Sequence, residues 1–117
     1  MKQVFVLRHA EKNILTGGIT QKGKERCDYL KKLLPEFADV ISSEKKRCVE
    51  TAKELTNHEP TEDYQANIEY ETGEELVHLI KQTLDKLEDS QNALIVSHSP
   101  CIGPAKILLQ LTLATLI

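Results

Sequence analysis

The chain has no tryptophan, and aromatic residues make up only 4% of its 117 residues. It also lacks a long apolar run, because Gln110, Thr112 and Thr115 interrupt the stretch from Ile107 to Ile117. A membrane-spanning helix needs about 20 apolar residues. We therefore predict that this stretch is a helix or strand of the core and that the protein has no membrane partner.

Cysteine is scarce as well, with only Cys27, Cys48 and Cys101. These residues are widely spaced, odd in number and lack a C-x-x-C pair, which fits reduced thiols in a cytoplasmic protein better than a disulfide framework. No His/Cys group has the spacing of zinc ligands, so we expect no metal and no cofactor. The opening Met1-Lys2-Gln3 leads directly into a strand-like run and shows no signal peptide.

Charge is nearly balanced, with 15 basic and 18 acidic residues and a formal net charge of −3. Because no dense basic stripe is present, nucleic acid is not an expected partner, although a local cationic pocket remains compatible with this charge. The length and the 40% apolar content fit one globular domain over residues 1–117.

Two apolar runs end in a histidine. Val4–Leu7 runs into Arg8 and His9, and Ala93–Val96 is followed one residue later by His98. Such runs are typical of strands buried in a parallel sheet. Since open α/β sheets bind ligands at the carboxyl ends of their strands, we predict that the two histidines share one site.

The rest of the chain alternates helical and strand patterns, which predicts a three-layer α/β fold with a mostly parallel central sheet flanked by helices. The expected elements are a helix over 22–34 capped by Thr20, a strand over 38–41, a helix to about Thr56 capped by Ser42 or Ser43, a weak strand over 66–70, a helix begun by a capping box at 72–75, a strand over 92–97, and an irregular turn through Pro100, Gly103 and Pro104.

A third element brings a further cation. Arg47 lies about one turn into the predicted second helix. This helix starts at the same edge of the sheet as Arg8, His9 and His98. Guanidinium groups and a helix N-terminus suit a phosphate dianion. A neutral imidazole beside them is an effective nucleophile, and nearby positive charge disfavours imidazolium and helps to keep the ring neutral.

Three segments in this order resemble the histidine phosphatase superfamily, the phosphoglycerate mutase-like group. They are Leu-Arg-His-Ala-Glu at 7–11, Ser-Ser-x-x-x-Arg-Cys-Val-Glu-Thr-Ala at 42–52 and Ile-Val-Ser-His-Ser at 95–99. The small size is most similar to the bacterial phosphohistidine phosphatase branch and leaves little room for a lid insertion. The resemblance implies that His9 becomes transiently phosphorylated, that Arg8 and Arg47 hold the phosphoryl oxygens, and that His98 donates to the charged transition state without a metal.

The resemblance also implies lesser roles. Asn13 and Ser97 are expected to contact substrate, and Ala10 stands where the family usually has glycine. Glu69 is either the general acid or an exposed strand glutamate. A thiol nucleophile at Cys101 would lack an orienting partner.

Two functions from different classes follow. The first is a phosphatase that acts on protein phosphohistidine or on a small phosphate monoester, so that the partner is a phosphorylated protein or metabolite. The alternative is a non-catalytic phosphate-binding or partner-docking module that keeps the pocket without turnover.

Overall fold

A computed structural model of the protein describes residues 1–109 and 114–116. Strands and helices alternate along most of the chain. They are β1 (Gln3–Arg8), α1 (Gln21–Lys31), β2 (Asp39–Ser42), α2 (Lys46–Thr56), β3 (Thr61–Glu62), a short 3-10 helix (Tyr64–Ala66), α3 (Glu74–Lys86), β4 (Asn92–Ser97), α4 (Ser99–Leu109) and β5 (Ala114–Leu116).

The strands form one parallel sheet in the order β3-β2-β4-β1-β5. β1 and β4 are neighbours over their full length, and their last residues, Arg8 and Ser97, are paired in register. The two residues that follow, His9 and His98, therefore leave the sheet side by side. The sequence predicts one shared site for the two histidines, and the structure places them next to each other at one edge of the sheet.

Helices cover both faces of the sheet. Leu7, Leu94 and Val96 pack with residues of α1 and α2 on one face. Val6 and Ile95, whose side chains alternate with these along the strands, pack with α3 and α4 on the other face. The architecture is a three-layer α/β sandwich, as the alternation of elements predicts.

The N-termini of α1 and α2 are capped differently. The side chain of Thr20 accepts a hydrogen bond from the backbone N–H of Gly23, which confirms the predicted N-cap of α1. The prediction that Ser42 or Ser43 caps α2 is wrong, because Ser42 ends β2 and the N-cap residue is Lys45, which makes no side-chain cap bond. Ser43 is buried beneath the site instead.

The weak strand predicted over 66–70 is not formed. Asp63 caps the 3-10 helix at Tyr64–Ala66 by accepting from Gln65 N, and the Ser97 hydroxyl donates to the Ala66 carbonyl at 2.7 Å. The local bond from Asp63 and the long-range bond from Ser97 together offer this backbone an alternative to the sheet. The third strand is the two-residue β3 instead.

The start of α3 also differs from the predicted capping box. Gly73 is the N-cap residue, with a φ of 80°, and no side-chain cap bond is formed there. Thr72 accepts only from Glu74 N, at 3.4 Å. The apolar face of α3 is as predicted, with Leu76, Leu79 and Ile80 buried.

The predicted irregular turn after β4 is a helix. The carbonyl of His98 accepts from the N–H groups of Cys101 and Ile102, so α4 begins directly after the strand. Pro100 lies in the first turn, where an N–H has no intrahelical partner, and Pro104 removes one bond from the helix interior.

The predicted core element from Ile107 onward is only partly described. Ile107 and Leu108, at the end of α4, are 77% and 53% exposed, so this part of the prediction is wrong. Residues 114–116 form β5 beside β1. Residues 110–113 and 117 lie outside the described part of the chain.

Candidate active site

His9 is held in one ring orientation at the end of β1. Its backbone N–H donates to the Ser97 carbonyl at 3.1 Å, and its Nδ1 lies 2.7 Å from the Ala10 carbonyl. A carbonyl oxygen only accepts, so Nδ1 carries the proton and Nε2 keeps its lone pair. The ring therefore has one basic nitrogen, and this nitrogen is the group that can attack an electrophile.

Thr51 fixes the backbone after His9. Its Oγ1 accepts from Ala10 N at 2.9 Å and donates to the Arg47 carbonyl at 2.7 Å. Ala10 does not have a positive φ, so alanine meets no conformational penalty at this turn. The hydroxyl of Thr51 thus links α2 to the turn that positions His9.

Arg47 reaches the reactive nitrogen directly. It is the second residue of α2, earlier in the helix than predicted, and its Nε donates to His9 Nε2 at 3.3 Å. A phosphoryl oxygen is a stronger acceptor for a guanidinium than an imidazole nitrogen is. Arg8 is exposed at the end of β1, beside His9, and lines the same cleft.

His98 lies beside His9 but inside the protein. The two ring centroids are 5.3 Å apart, and His98 is 0% exposed. Its Nε2 is 3.0 Å from Ser43 Oγ and 3.5 Å from Cys48 Sγ. Within the described residues, Nδ1 of His98 is a buried polar atom without a hydrogen-bond partner.

Both histidines favour the neutral form. Burial is the main reason that the pKa of His9 is lowered; the Ala10 hydrogen bond opposes this, and the charges of Arg47, Arg8 and Lys12 add to it. Burial, followed by the charge of Arg47, lowers the pKa of His98 to about 4. Positive charge contributes as the sequence predicts, but desolvation contributes more.

The cleft in front of His9 has a volume of about 800 Å³. Its wall carries cations from three elements, and its floor is apolar. The lining residues are Leu7, Arg8, His9, Ala10, Glu11, Lys12, Lys22, Gly23, Arg26, Cys27, Leu30, Arg47, Thr51 and Leu55. An anionic ligand is therefore the class that this cleft suits.

Four of the predicted site residues do not line this cleft: the buried His98, and Asn13, Ser97 and Glu69. Asn13 Oδ1 accepts from the backbone N–H groups of Leu15 and Thr16, which makes it a turn residue. Ser97 is buried and its hydroxyl donates to a backbone carbonyl. Glu69 is exposed in the loop before α3, and its backbone N–H donates to Asn67 Oδ1. Ser97 contacts His9 only through its backbone carbonyl, which accepts from the His9 N–H at 3.1 Å.

The cysteines are buried free thiols. Burial raises the pKa of Cys48 to about 12 and that of Cys27 to about 11. Cys101 donates to the Asn67 carbonyl at 3.3 Å, and burial raises its pKa too. Because the thiolate is the nucleophilic form, these thiols are structural groups at neutral pH.

Sequence reasoning missed Lys12, Lys22 and Arg26 as cleft residues, and it missed the positioning role of Thr51. Lys22 and Arg26 carry the pattern of a solvated helix face, which is indistinguishable from a ligand-binding face without the packing of α1. Thr51 belonged to a segment already singled out, so its spacing of four residues from Arg47 was an available signal.

No protein-family model matches the sequence, and no curated protein matches it. A solved structure from Agrobacterium tumefaciens, SixA, described as a "putative phosphohistidine phosphatase", is similar in fold. It matches with a TM-score of 0.57 at 14% identity, over 91% of this chain and 74% of that chain. The predicted phosphoglycerate mutase-like α/β fold is therefore confirmed, and function has to be argued from the site.

Two further observations concern the described residues. No helix among them is long and apolar enough to cross a membrane. No three His, Cys, Asp or Glu side chains within residues 1–109 and 114–116 are grouped so that they could hold a metal ion.

Proposed function

We propose that the protein is a phosphatase that transfers a phosphoryl group to His9 Nε2 and then to water. The observation that carries this proposal is the hydrogen bond from Nδ1 to the Ala10 carbonyl, which leaves Nε2 as the basic nitrogen in a cleft lined by cations. The likeness to the Agrobacterium protein supports the same class of reaction. We take the catalytic unit to be one domain over residues 1–117, in which the described residues contain no lid insertion over the cleft.

The reaction proceeds in two displacements. In the first, the Nε2 lone pair forms a bond to phosphorus while the bond to the leaving group breaks, and the leaving group takes that electron pair. In the second, water attacks phosphorus, the P–N bond breaks, and inorganic phosphate and a proton are released. Positive charge at Arg8 and Arg47 stabilises the charged oxygens in both transition states.

Arg47 moves from the imidazole to the phosphoryl group in this scheme. In the structure its Nε donates to the nitrogen that must attack, so the lone pair is engaged until a better acceptor arrives. A bound phosphoryl group provides that acceptor and frees Nε2. We assign a donor role to Nδ1 of His98, which lies next to His9 and has no hydrogen-bond partner among the described residues. Because His98 is buried and does not line the cleft, this role requires the phosphoryl group to reach the space between the two rings.

The kind of leaving group that the site can release depends on whether a carboxylate near His9 can protonate it. Glu69, a candidate general acid by sequence, does not line the cleft, and Glu11, the carboxylate that does, accepts a hydrogen bond from the Thr20 hydroxyl. We therefore favour substrates whose leaving group needs little protonation by the enzyme, namely phosphohistidine or an activated phosphate monoester.

Trapping the covalent intermediate tests this proposal. The wild type and His9→Ala are incubated with phosphoramidate or p-nitrophenyl phosphate carrying ³²P, quenched within milliseconds to seconds, and analysed for acid-labile label. Label on the wild type only, with release of inorganic phosphate, is the expected result. An unlabelled wild type that hydrolyses substrate would refute the histidine nucleophile.

A non-catalytic phosphate-binding module is the second candidate. The bond from Arg47 to His9 Nε2 favours it, because this contact holds the nucleophile in an unreactive state. Phosphate binding by titration, with neither label nor released phosphate, would establish this function instead.

A further inference from the structure

The cleft carries more positive charge than one phosphoryl group requires. Beyond Arg8 and Arg47, it is lined by Lys12, Lys22 and Arg26. The chain as a whole has a net charge of −3. The cleft therefore gathers positive side chains in a protein that is negatively charged overall. A local field of this kind selects anionic ligands.

The three cations are brought together by close packing of α1 on the turn after His9. A Cβ built at Gly23 would lie 3.3 Å from Ala10 Cβ and 3.3 Å from the backbone of Glu11. Lys22 and Arg26 are four residues apart and so share one face of α1. Gly23, between them, lets this face reach the edge of the cleft.

Lys12 joins them from the opposite side. It is bridged to Ile19 in the loop between β1 and α1, and Asn13 N donates to the Gly18 carbonyl at 2.7 Å. Lys12 is exposed, and it lines the cleft together with His9. Its charge also contributes to the lowered pKa of His9.

These charges are not neutralised within the described part of the chain. The ion pairs found there join Lys46 to Glu50 and Lys53 to Glu59, both away from the cleft wall. Glu11 is the one carboxylate among the described residues that line the cleft. Its Oε1 accepts from the Thr20 hydroxyl, which ties it to the start of α1.

The floor of the cleft adds a second requirement. Cys27, Leu30 and Leu55 form an apolar surface between α1 and α2. A volume of about 800 Å³ lies within the range of small-molecule sites. A ligand that uses the whole cleft has a phosphoryl group at His9, an apolar skeleton over the floor and a second anion beside α1.

We propose that the substrate is a small organic phosphate whose carbon skeleton carries a second anionic group, held by Lys12, Lys22 and Arg26. The phosphoryl subsite at His9 rests on the proposed phosphatase function. The second subsite, formed by Lys12, Lys22 and Arg26, can be tested by binding alone. An acidic phosphopeptide is the competing ligand, and it uses the exposed rim without needing the apolar floor.

Binding of inert phosphonates tests the second subsite without relying on turnover. Titration calorimetry in 50 mM salt compares 3- and 4-carboxyphenylphosphonate with their carbamoyl counterparts, which have the same shape and lack the second charge. At least one carboxylate is expected to bind roughly three- to tenfold more tightly than its carbamoyl partner, since exposed ion pairs are individually weak. In 0.5 M salt this ratio should fall, because the contacts are screened.

Matched double variants locate the effect. In Lys22→Gln/Arg26→Gln, the carboxylate-to-carbamoyl affinity ratio should fall most of the way toward one, because Lys12 is the remaining cation of the subsite. Lys24→Gln/Lys32→Gln removes the same charge from the same region at residues that do not line the cleft, and the ratio should persist. Circular dichroism and urea unfolding establish that both variants are folded.

The outcomes separate this proposal from the phosphatase assignment. Equal affinities for both carboxylates and their carbamoyl partners, or a ratio that survives Lys22→Gln/Arg26→Gln, would overturn the second subsite. Preferential binding confined to an acidic phosphopeptide would replace it with a peptide site. If the affinity ratio is present but the corresponding aryl phosphates are not hydrolysed, the second subsite stands and the phosphatase function fails.

Discussion

Acid destabilisation by His98 is the sharpest quantitative consequence of the site. His98 is 0% exposed, contacts Ser43 and Cys48, and its pKa is lowered from 6.5 to about 4 by burial and by the Arg47 charge. The folded protein therefore favours the neutral ring. The unfolded chain binds more protons between pH 6.5 and about 4, and the free energy of unfolding falls as the pH is lowered through this window.

The size of this loss follows from the two pKa values. At pH 5 the contribution of His98 is about 2 kcal/mol, and it approaches about 3 kcal/mol near pH 4. His98→Gln removes the titrating group while its amide nitrogen can still reach Ser43 Oγ. The free energy of unfolding of the wild type should thus fall by about 2 kcal/mol more than that of His98→Gln between pH 7.5 and pH 5.

Urea unfolding at both pH values, followed by circular dichroism in phosphate-free buffer, measures this difference. His78→Gln, at an exposed position on α3, is the substitution control and should follow the wild type. The comparison uses only the change with pH, so any constant effect of the substitution cancels. Equal pH dependence in the wild type and His98→Gln would refute a buried neutral His98.

Three further results are expected. Thr51→Val should lower the free energy of unfolding by about 1–3 kcal/mol and reduce kcat/KM, because Ala10 N loses its acceptor. Urea unfolding and steady-state kinetics measure the two effects, and Thr51→Ser, which keeps the hydroxyl, is the control. Gly73→Ala should destabilise far more than Gly17→Ala, since both have a φ of 80° but only at Gly73 would the new Cβ lie 2.5 Å from a backbone nitrogen of α4; thermal unfolding compares the two, and equal shifts would contradict the contact. The ring of His9 should titrate by NMR with a midpoint below pH 6.5, because burial lowers its pKa; a midpoint above 6.5 would contradict this.

Buried strands were the most predictable part of the fold. Val4–Leu7 and Ala93–Val96 are apolar on both faces because helices cover both sides of the sheet, so their sequence pattern leaves few alternatives. The expectation that His9 and His98 meet follows from these strands alone. The register of Arg8 with Ser97 confirms it.

The loop from 61 to 73 was the least predictable part. Alternating apolar residues at 66–70 indicated a strand, whereas Asp63 and Ser97 hold this backbone through side-chain bonds. A bond from a residue more than 30 positions away leaves no local signal. The position of Glu69 depends on that loop, and this is why its distance from the cleft could not be predicted.

The role of Lys22 and Arg26 at the cleft could not be predicted for a different reason. They belong to a helix whose lysines and glutamates have the pattern of a solvent-exposed face. Their role at the cleft depends on the contact of Gly23 with Ala10 and Glu11. A pattern within one helix cannot show how closely that helix approaches another segment.

The pairing of β1 with β4 has a consequence for how the chain acquires its pocket. β1, which ends at Arg8, and β4, which ends at Ser97, are separated by most of the described chain. Closing so long a segment is entropically costly, and non-local strand pairing slows folding. During translation, β1 cannot pair with β4 until the residues between them have been synthesised. Until then, Val4 and Val6, which are 0% exposed in the folded protein, lack the neighbouring strand that helps to bury them.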